Sequence, residues 1–244
     1  MKKIVFLIAL FAAVLYAAPM GNINDISKTL TVKNDYWSCS FIAGSMFPGD
    51  FVFKNGTRAG AILFRDTAVC DGMEFYLFEE RRSNCRILVN TANEFAVEFT
   101  GRYWRNVSPL IKPLQGVDVT CRYEFKKNSP QMKMIFTYSM SNNAEINFKS
   151  FFNIGWYYRN PFTAAFADGR KVELKKNLHI SNCQNVSFAN NSFAVQLDSE
   201  NVFVSLPRTK SIIVCELGAT GEKSSAKHKF TKQATLSLLQ KIAF

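Results

Sequence analysis

The sequence predicts an all-β fold, a large antiparallel β-sandwich that is supersandwich-like and has little helix. Between residues 117 and 158, three successive runs alternate apolar and polar side chains. A period of two places neighbouring side chains on opposite faces of a strand, so each run predicts a strand with one buried and one solvated face. Other apolar runs follow one another at intervals of about 8 to 12 residues, a spacing typical of sandwiches.

We expect the three alternating runs to form an antiparallel meander of neighbouring strands. Their apolar rows are Val117, Val119, Cys121, Tyr123 and Phe125, then Met132, Met134, Phe136, Tyr138 and Met140, and finally Ile146, Phe148, Phe152, Ile154 and Trp156. A turn at Asn128-Ser129-Pro130 separates the first run from the second. The polar side chains between these rows would form the solvated face of the meander.

Strands are also expected before the meander, separated by turn residues. They cover residues 30–33, 36–42, 51–54, 61–64, 74–80, 85–89 and 94–104. Pro48-Gly49-Asp50 predicts a turn, and Pro109 and Pro113 predict a loop. Asn55-Gly56 predicts a type I′ hairpin turn, in which both central residues have positive φ, and Asp71-Gly72 and Asp168-Gly169 repeat the signal.

After the meander, the predicted strands cover residues 171–174, 185–188, 193–197, 202–206 and 211–217. Residues 234–242 fit either a strand or a short helix.

The amino terminus predicts export of the protein. Lys2 and Lys3 precede an unbroken apolar segment, and small residues follow it. This order is typical of a secretory signal peptide, here residues 1–17, which leaves a single β-sandwich domain at residues 18–244. An uncleaved membrane anchor is the alternative, but the apolar run is shorter than the roughly 20 residues that span a bilayer. We therefore expect a secreted or periplasmic protein with no stable membrane insertion after cleavage.

The charge of the chain favours acidic partners. The formal net charge is +11, and loss of Lys2 and Lys3 with the leader would reduce it to +9. Such a balance attracts anionic polymers, of which acidic polysaccharides fit an exported protein and nucleic acid does not. The basic residues are scattered, so many of them would simply be solvated.

Six cysteines in an exported chain indicate disulfides. Cys70 and Cys85 flank a candidate hairpin and are the preferred pair, whose loop would stabilise the fold by roughly 3 kcal/mol. Buried free thiols are the alternative, particularly for Cys121. No Cys-x-x-Cys spacing occurs, so neither a metal site nor a cofactor is predicted.

Catalytic signals are sparse, because the chain has only His179 and His228 and no recognisable nucleophile or phosphate-loop motif. His228 lies in a polar tract and predicts solvated surface. Tyr157 and His179 are the candidate catalytic bases, and for His179 a structural role is the alternative.

The polar phase of the predicted strands indicates a carbohydrate-binding face. If the strands are neighbours, this face carries Arg102, Trp104, Arg122, Asn153, Tyr157 and Arg159. Aromatic rings offer apolar platforms to sugar rings, and arginine pairs with carboxylates or sulfates in bidentate geometry. In the alternative interpretation, a loop or second element covers Trp104 and Tyr157, since large aromatic side chains are usually buried.

Several segments together resemble a known family. They are Phe47-Pro48-Gly49-Asp50, Phe53-Lys54-Asn55-Gly56, Arg86-Ile87-Leu88-Val89-Asn90, Phe95-Ala96-Val97-Glu98-Phe99 and Val119-Thr120-Cys121-Arg122-Tyr123-Glu124-Phe125. The pattern is similar to that of the galactose-mutarotase-like and polysaccharide-lyase β-supersandwich modules. This resemblance implies a broad sheet that holds saccharides. The catalytic histidine pair and carboxylate of the mutarotases have no counterparts here.

Three hypotheses about function follow. The first is an exported β-sandwich protein that binds acidic polysaccharide. The second is a lyase or epimerase of the same architecture, in which Tyr157 or His179 removes a proton beside a uronate carboxylate that Arg102 or Arg159 neutralises. The third is a structural or adhesive envelope protein whose strand edges pair with partners.

Overall fold

The computed structural model describes residues 19–24, 29–41, 45–59, 62–77, 84–107, 110–141, 145–157, 163–166, 168–173, 178–189, 193–205, 212–217, 222–224 and 229–240. These residues form strands without any α-helix, which confirms the all-β sandwich. Consistent with this, the described residues contain no helix of the length and hydropathy needed to cross a membrane. The predicted signal peptide, residues 1–17, lies outside them.

The strands in chain order are β1 (Gly21–Asn24), β2 (Thr29–Lys33), β3 (Trp37–Phe41), β4 (Pro48–Phe53), β5 (Ile62–Cys70), β6 (Met73–Tyr76), β7 (Asn84–Asn90), β8 (Glu94–Val107), β9 (Leu110–Lys126), β10 (Gln131–Met140), β11 (Ile146–Tyr157), β12 (Thr163–Ala165), β13 (Lys171–Glu173), β14 (Leu178–Ala189), β15 (Phe193–Ser205), β16 (Ile212–Leu217), β17 (Glu222–Ser224) and β18 (Lys229–Gln240). Residues 234–240, which fitted either a strand or a helix, are therefore in a strand.

These strands form two antiparallel sheets. The small sheet has the order β1-β2-β3-β4. The large sheet runs β13-β12-β14-β15-β16-β11-β5-β6-β8-β9-β10-β18, with β7 paired to β8 and β17 paired to β11. β15 pairs with β14 along one edge. Along the other edge it pairs with β18 through residues 193–198 and with β16 through residues 202–205. Because β18, at the other end of the strand order, also pairs with β15, the strands from β15 to β18 form a closed series of pairings.

The small sheet packs against one face of β8, β9 and β10 through aromatic rings. Phe41 stacks on Phe99 with ring centroids 4.9 Å apart and meets Tyr123 edge-on at 5.1 Å. Trp37 meets Phe125 edge-on at 5.9 Å. The Tyr123 hydroxyl is buried and donates a hydrogen bond of 2.9 Å to the carbonyl oxygen of Met46, which satisfies its polar end. The predicted apolar rows of β9 and β10 are indeed buried.

A second attachment joins the turn between β2 and β3 to the turn between β9 and β10. Asn34 caps its own turn, since its Oδ1 accepts the backbone N–H groups of Tyr36 and Trp37 at 2.8 Å. Its Nδ2 donates to the carbonyl of Ser129, and the indole Nε1 of Trp37 donates to that of Pro130. These bonds satisfy polar groups at the rim of the core, and they fix the position of the small sheet relative to the large one.

The turns agree only in part with their predictions. Asp71 and Gly72 have φ of 50° and 71°, as a type I′ hairpin turn requires, and they join β5 to β6. The type I′ prediction for Asn55-Gly56 is wrong, because only Gly56 has positive φ, and the Phe53 N–H bonds to the Thr57 carbonyl across a longer turn. The turn predicted at Pro48-Gly49-Asp50 lies instead within β4, and Pro113 lies within β9 rather than in a loop.

The predicted meander is correct for its first two strands and wrong for the third. β9 and β10 pair antiparallel, but the other neighbour of β10 is β18. β11 lies instead between β5 and β16. Alternation of side chains determines the face that a strand buries, whereas the choice of partner depends on packing between distant parts of the chain. The sequence pattern therefore could not reveal this arrangement.

Gly21 offers a test of how the small sheet meets β8. A Cβ atom at Gly21 would lie 2.2 Å from the Phe95 ring, whereas one at Gly49 would have nothing within 4 Å. We predict that Gly21→Ala lowers the free energy of unfolding by roughly 1–3 kcal/mol, because the buried ring must shift. Gly49→Ala is the matched control and should be close to wild type in urea unfolding. Equal stability of the two variants would contradict this packing.

Candidate functional site

The face of β7, β8, β9, β10 and β18 that is turned away from the small sheet is called here the outer face. Strand register arranges its residues in rows across the strands, and directly paired residues share a face. The rows are Arg86, Glu98, Arg122, Ile135 and Gln233; Val89, Ala96, Glu124, Lys133 and Thr235; and Thr100, Thr120, Thr137 and Thr231. The hydroxyls of Thr137 and Thr231 lie 3.1 Å apart, within hydrogen-bonding distance.

A groove of about 460 Å³ lies on this face at the end where β9 turns into β10. Its lining residues are Val89, Glu94, Phe95, Ala96, Arg122, Glu124, Phe125, Lys126, Ser129, Gln131, Lys133 and Thr235. Ala96 lies in the middle of its row, between Val89 and Glu124. Because the alanine side chain is shorter than those of Val89, Glu124 and the flanking Glu94 and Glu98, it leaves a depression in the sheet surface.

The groove combines both signs of charge. Arg122 and Glu124 form an ion pair of 2.7 Å, while Nε of Arg122 is buried and has no hydrogen-bond partner. Lys133 lies directly across from Glu124, and Lys126 directly across from Glu94. The described residues that line the groove include three cationic and two anionic side chains, a net charge of +1, and they offer both hydrogen-bond donors and acceptors.

The predicted site residues of β8 and β9 are on this outer face, but only one of them lines the groove. Arg122 does so. Arg102 is exposed and pairs with Asp118 at 2.8 Å. Trp104 is half-buried and lies across from Pro113. Eight positions separate Trp104 from Ala96 along β8, or roughly 26 Å of strand, so Trp104 stands well outside the groove.

The remaining predicted site residues belong to other parts of the large sheet. Asn153 and Tyr157 lie in β11, which is separated from β8 by β5 and β6. Two intervening strands put β11 and β8 about 14 Å apart. His179 lies in β14, on the far side of β15 and β16 from β11. Arg159 and His228 fall outside the described residues. The strand order therefore separates Arg102 from Tyr157 and His179, and the version of the lyase hypothesis that uses Arg159 involves a residue outside the described ones.

Sequence reasoning missed most of the groove. Lys126, Gln131, Lys133 and Thr235 are polar-phase residues near a turn, and nothing in their spacing marks them as a site. One signal was available, since Ala96 is a small residue in the polar phase of a strand, between the long side chains of Glu94 and Glu98. The contribution of β18 depends on a pairing between residues about a hundred positions apart in the sequence, and only the structure shows it.

A buried carboxylate lies on the other, core-facing side of the large sheet. Asp66 is fully buried, and its Oδ2 accepts hydrogen bonds from the hydroxyls of Tyr103 at 2.7 Å and Tyr138 at 2.5 Å. Its Oδ1 accepts the backbone N–H of Thr67 at 2.8 Å. The ring of Phe230 stacks on Tyr138 and helps to close the cluster.

Burial raises the pKa of Asp66 well above its usual value, and the three hydrogen bonds lower it by less. The same burial raises the pKa of the Cys121 thiol, with a further contribution from Asp66. These groups have no access to solvent, so we assign them to the core and not to a ligand site.

The preferred disulfide between Cys70 and Cys85 is not formed, because both residues are free thiols. Cys70 ends β5, while Cys85 pairs with Phe99 in β8. Counting along the paired strands places the two cysteines about eight residues apart in the strand direction, or roughly 26 Å. A disulfide needs Cα atoms within about 7 Å of each other. Cys39 and Cys121 are buried free thiols, as the alternative prediction held for Cys121.

Metal-ligating side chains do not gather in the part of the chain that is described, where no group of three or more His, Cys, Asp or Glu residues could hold an ion.

Comparisons with known proteins identify the architecture. No family model and no curated protein sequence matches the chain. Among solved structures, the galactosidase domain of an alpha-galactosidase-sucrose kinase is similar over 90% of this chain, with a TM-score of 0.61 and 9% identity. An alpha-galactosidase from Lactobacillus brevis is similar over 90% of this chain, with a TM-score of 0.57 and 10% identity. This chain spans 42% and 40% of those two chains, respectively.

A smaller protein resembles the chain along its whole length. A galactose mutarotase-like protein from Lactobacillus casei ATCC 334 is similar over 86% of this chain and 99% of its own, with a TM-score of 0.53 and 11% identity. The protein is therefore an all-β sandwich of the supersandwich type. More particularly, it has a galactose mutarotase-like fold, which confirms the resemblance detected in the sequence.

The raised pKa of Asp66 leads to a prediction about stability and pH. A carboxyl whose pKa is higher in the folded than in the unfolded state stabilises the fold below the unfolded pKa, and this contribution is lost as pH rises. The difference in free energy of unfolding between wild type and Asp66→Asn should therefore fall from about pH 4 to pH 7. One pH unit of pKa shift corresponds to about 1.4 kcal/mol.

Urea unfolding of both proteins across this pH range measures the difference. Circular dichroism of Asp66→Asn at each pH checks that its β-structure is intact. A difference that stayed constant or grew with pH would show that Asp66 is ionised in the core at little cost.

Proposed function

We propose that this protein binds carbohydrate through the outer face of its large sheet, with the groove above Ala96 as the principal site. The groove is the observation that carries the proposal. Its volume of about 460 Å³ can hold a sugar ring, and its charged, amide and hydroxyl side chains can donate to and accept from several hydroxyl groups of one ligand. The solved structures of similar fold include carbohydrate-active enzymes, which supports the choice of ligand class.

Acidic polysaccharides are the ligands that we propose for the groove. The guanidinium of Arg122 holds the carboxylate of Glu124 at 2.7 Å, and the same group would pair with a carboxylate or sulfate of a ligand. Lys126 and Lys133 add two cationic ends within the same groove. The net charge of the whole chain would attract a polyanion from a distance.

Secretion into an extracellular or periplasmic space is part of the same proposal. It rests on the basic tip and apolar run at residues 1–17, and it would bring the protein to the compartment where envelope and extracellular polysaccharides occur. The free thiols at Cys70 and Cys85 give it no further support.

Binding fits the geometry better than the lyase or epimerase hypothesis. Among the described residues that line the groove there is no histidine or tyrosine, so neither Tyr157 nor His179 is placed in it. The adhesive hypothesis requires a strand edge for a partner, and the groove instead lies on a face. Ultraviolet absorbance from unsaturated products would reveal a lyase if one is present.

Substitutions in the groove test the proposal. We predict that Arg122→Ala and Lys133→Ala each weaken binding to polygalacturonate or alginate by about tenfold, the equivalent of losing roughly 1.4 kcal/mol of charge-assisted hydrogen bonding. Affinity electrophoresis in gels containing each polymer, over a range of salt concentrations, measures the loss. Retention should decrease with salt in the wild type, and less steeply in the variants.

Arg58→Ala is the control, because Arg58 is also an arginine in an ion pair, with Asp50 on the small sheet and away from the groove. It should bind like wild type. If folded wild-type protein is not retained by any acidic polysaccharide at low salt, the acidic ligand is excluded. If Arg58→Ala weakens binding as much as Arg122→Ala does, the groove is not the site.

A further inference from the structure

Tyr36 is an exposed aromatic residue close to one end of the groove. It is 41% exposed, and no other aromatic residue in the described part of the chain is exposed. Trp104 is half-buried, and the two phenylalanines that line the groove, Phe95 and Phe125, are buried in the core. The groove therefore lacks an aromatic platform for a sugar, and Tyr36 is the ring nearby that offers one.

Hydrogen bonds hold the backbone around Tyr36 against the turn between β9 and β10. The carbonyl of Tyr36 accepts the N–H of Lys54 at 3.0 Å, and the N–H of Asp35 donates to the carbonyl of Lys127 at 2.8 Å. The Tyr36 hydroxyl lies 3.5 Å from the carbonyl oxygen of Asn128. Because the backbone is fixed before a ligand arrives, little conformational entropy is lost when the ring makes a contact.

The turn that Tyr36 contacts is continuous with the groove. The residues on either side of Lys127 and Asn128 in the sequence both line the groove. Lys127 is three positions along the chain from Glu124, which lies across from Ala96, and this is roughly 10 Å of extended chain. Adjacent hydrogen-bonded chains are about 5 Å apart, so Tyr36 lies within roughly 15 Å of the groove floor. More than one sugar is needed to cover this distance.

Two lysines flank the exposed ring. Lys54 and Lys127 are exposed, and neither forms an ion pair with any residue that the structure describes. Asp35 is the one carboxylate in the turn that carries Tyr36. Together these three charged residues raise the net charge of the region from the +1 of the groove to +2. An anionic chain that leaves the groove at this end would therefore meet cations that no carboxylate occupies.

We propose that the acidic chain bound in the groove continues over the turn between β9 and β10, where Tyr36 stacks on a sugar ring and Lys54 and Lys127 pair with carboxylates. The inference rests on the proposed function, and it adds that the ligand is a segment of several sugars. The face of a tyrosine ring matches the C–H face of a pyranose, while lysine supplies a mobile positive charge beside it. The groove and this turn thus form one extended site.

NMR titration with galacturonate and mannuronate oligosaccharides of increasing length tests the extended site. For at least one series, the affinity of the wild type should rise with length and level off once the ligand spans the groove and the turn. Tyr36→Ala should weaken binding of a hexasaccharide about tenfold, and that of a disaccharide by less. Tyr36→Phe should restore most of the affinity because it keeps the ring. Arg122→Ala should weaken binding at both lengths.

Lys112→Ala is the control for the two lysines, because Lys112 is also exposed but lies across from Arg105 at the far end of β9. Lys54→Ala and Lys127→Ala should each weaken binding of the hexasaccharide about threefold, as expected for an exposed ion pair, and by less at high salt. Lys112→Ala should bind the hexasaccharide like wild type.

Affinity that is independent of ligand length would overturn the extended site and leave the groove in place. Equal losses in Tyr36→Phe and Tyr36→Ala, or in Lys112→Ala and Lys127→Ala, would do the same. If the folded wild type binds no acidic oligosaccharide, the proposed function fails and the extended site fails with it. The length series uses wild-type protein alone, so it decides even if a variant does not fold.

Discussion

The contact between the small sheet and β8, β9 and β10 determines which face of the large sheet can meet a ligand. Aromatic rings from both sides interlock there, as in the stacking of Phe41 on Phe99. Burying rings of this size contributes much of the hydrophobic stabilisation, and the interlocked rings leave little room for adjustment. Since this face is filled, the polar phase of the same strands must form the surface. The groove lies on that exposed phase, where Ala96 is shorter than its neighbours.

Polar groups at the edge and within the core reinforce this contact. Tyr123, Trp37 and Asn34 place hydrogen-bond donors at backbone carbonyls where the two sheets meet. Within the core, Asp66 of β5 accepts hydrogen bonds from two tyrosine hydroxyls, of β8 and β10, and so joins strands of the large sheet. A buried carboxylate is costly unless it is hydrogen-bonded, so these bonds favour the one strand arrangement that satisfies it. Such bonds contribute to the specificity of packing more than to net stability.

The sequence contained enough information to predict the strands but not their order. Alternation in β9 and β10 correctly separated buried from solvated residues, because one side chain in two must face the core. Nothing in the local pattern, however, indicates that β11 leaves the meander and that β18 replaces it beside β10. For the same reason the sequence identified Arg122 but not Lys133 as a residue of the groove. It also predicted Asn153 beside β8, whereas β5 and β6 separate the two strands.

Binding of a sugar above Ala96 is the central claim, and methyl NMR tests it most directly. Titration of the protein with an acidic oligosaccharide should shift the methyl signals of Val89, Ala96 and Thr235, which line the groove. The methyl signals of Val32 and Ala59, which are buried elsewhere, should stay in place. Shifts at Val32 and Ala59 with none at Ala96 would contradict the account.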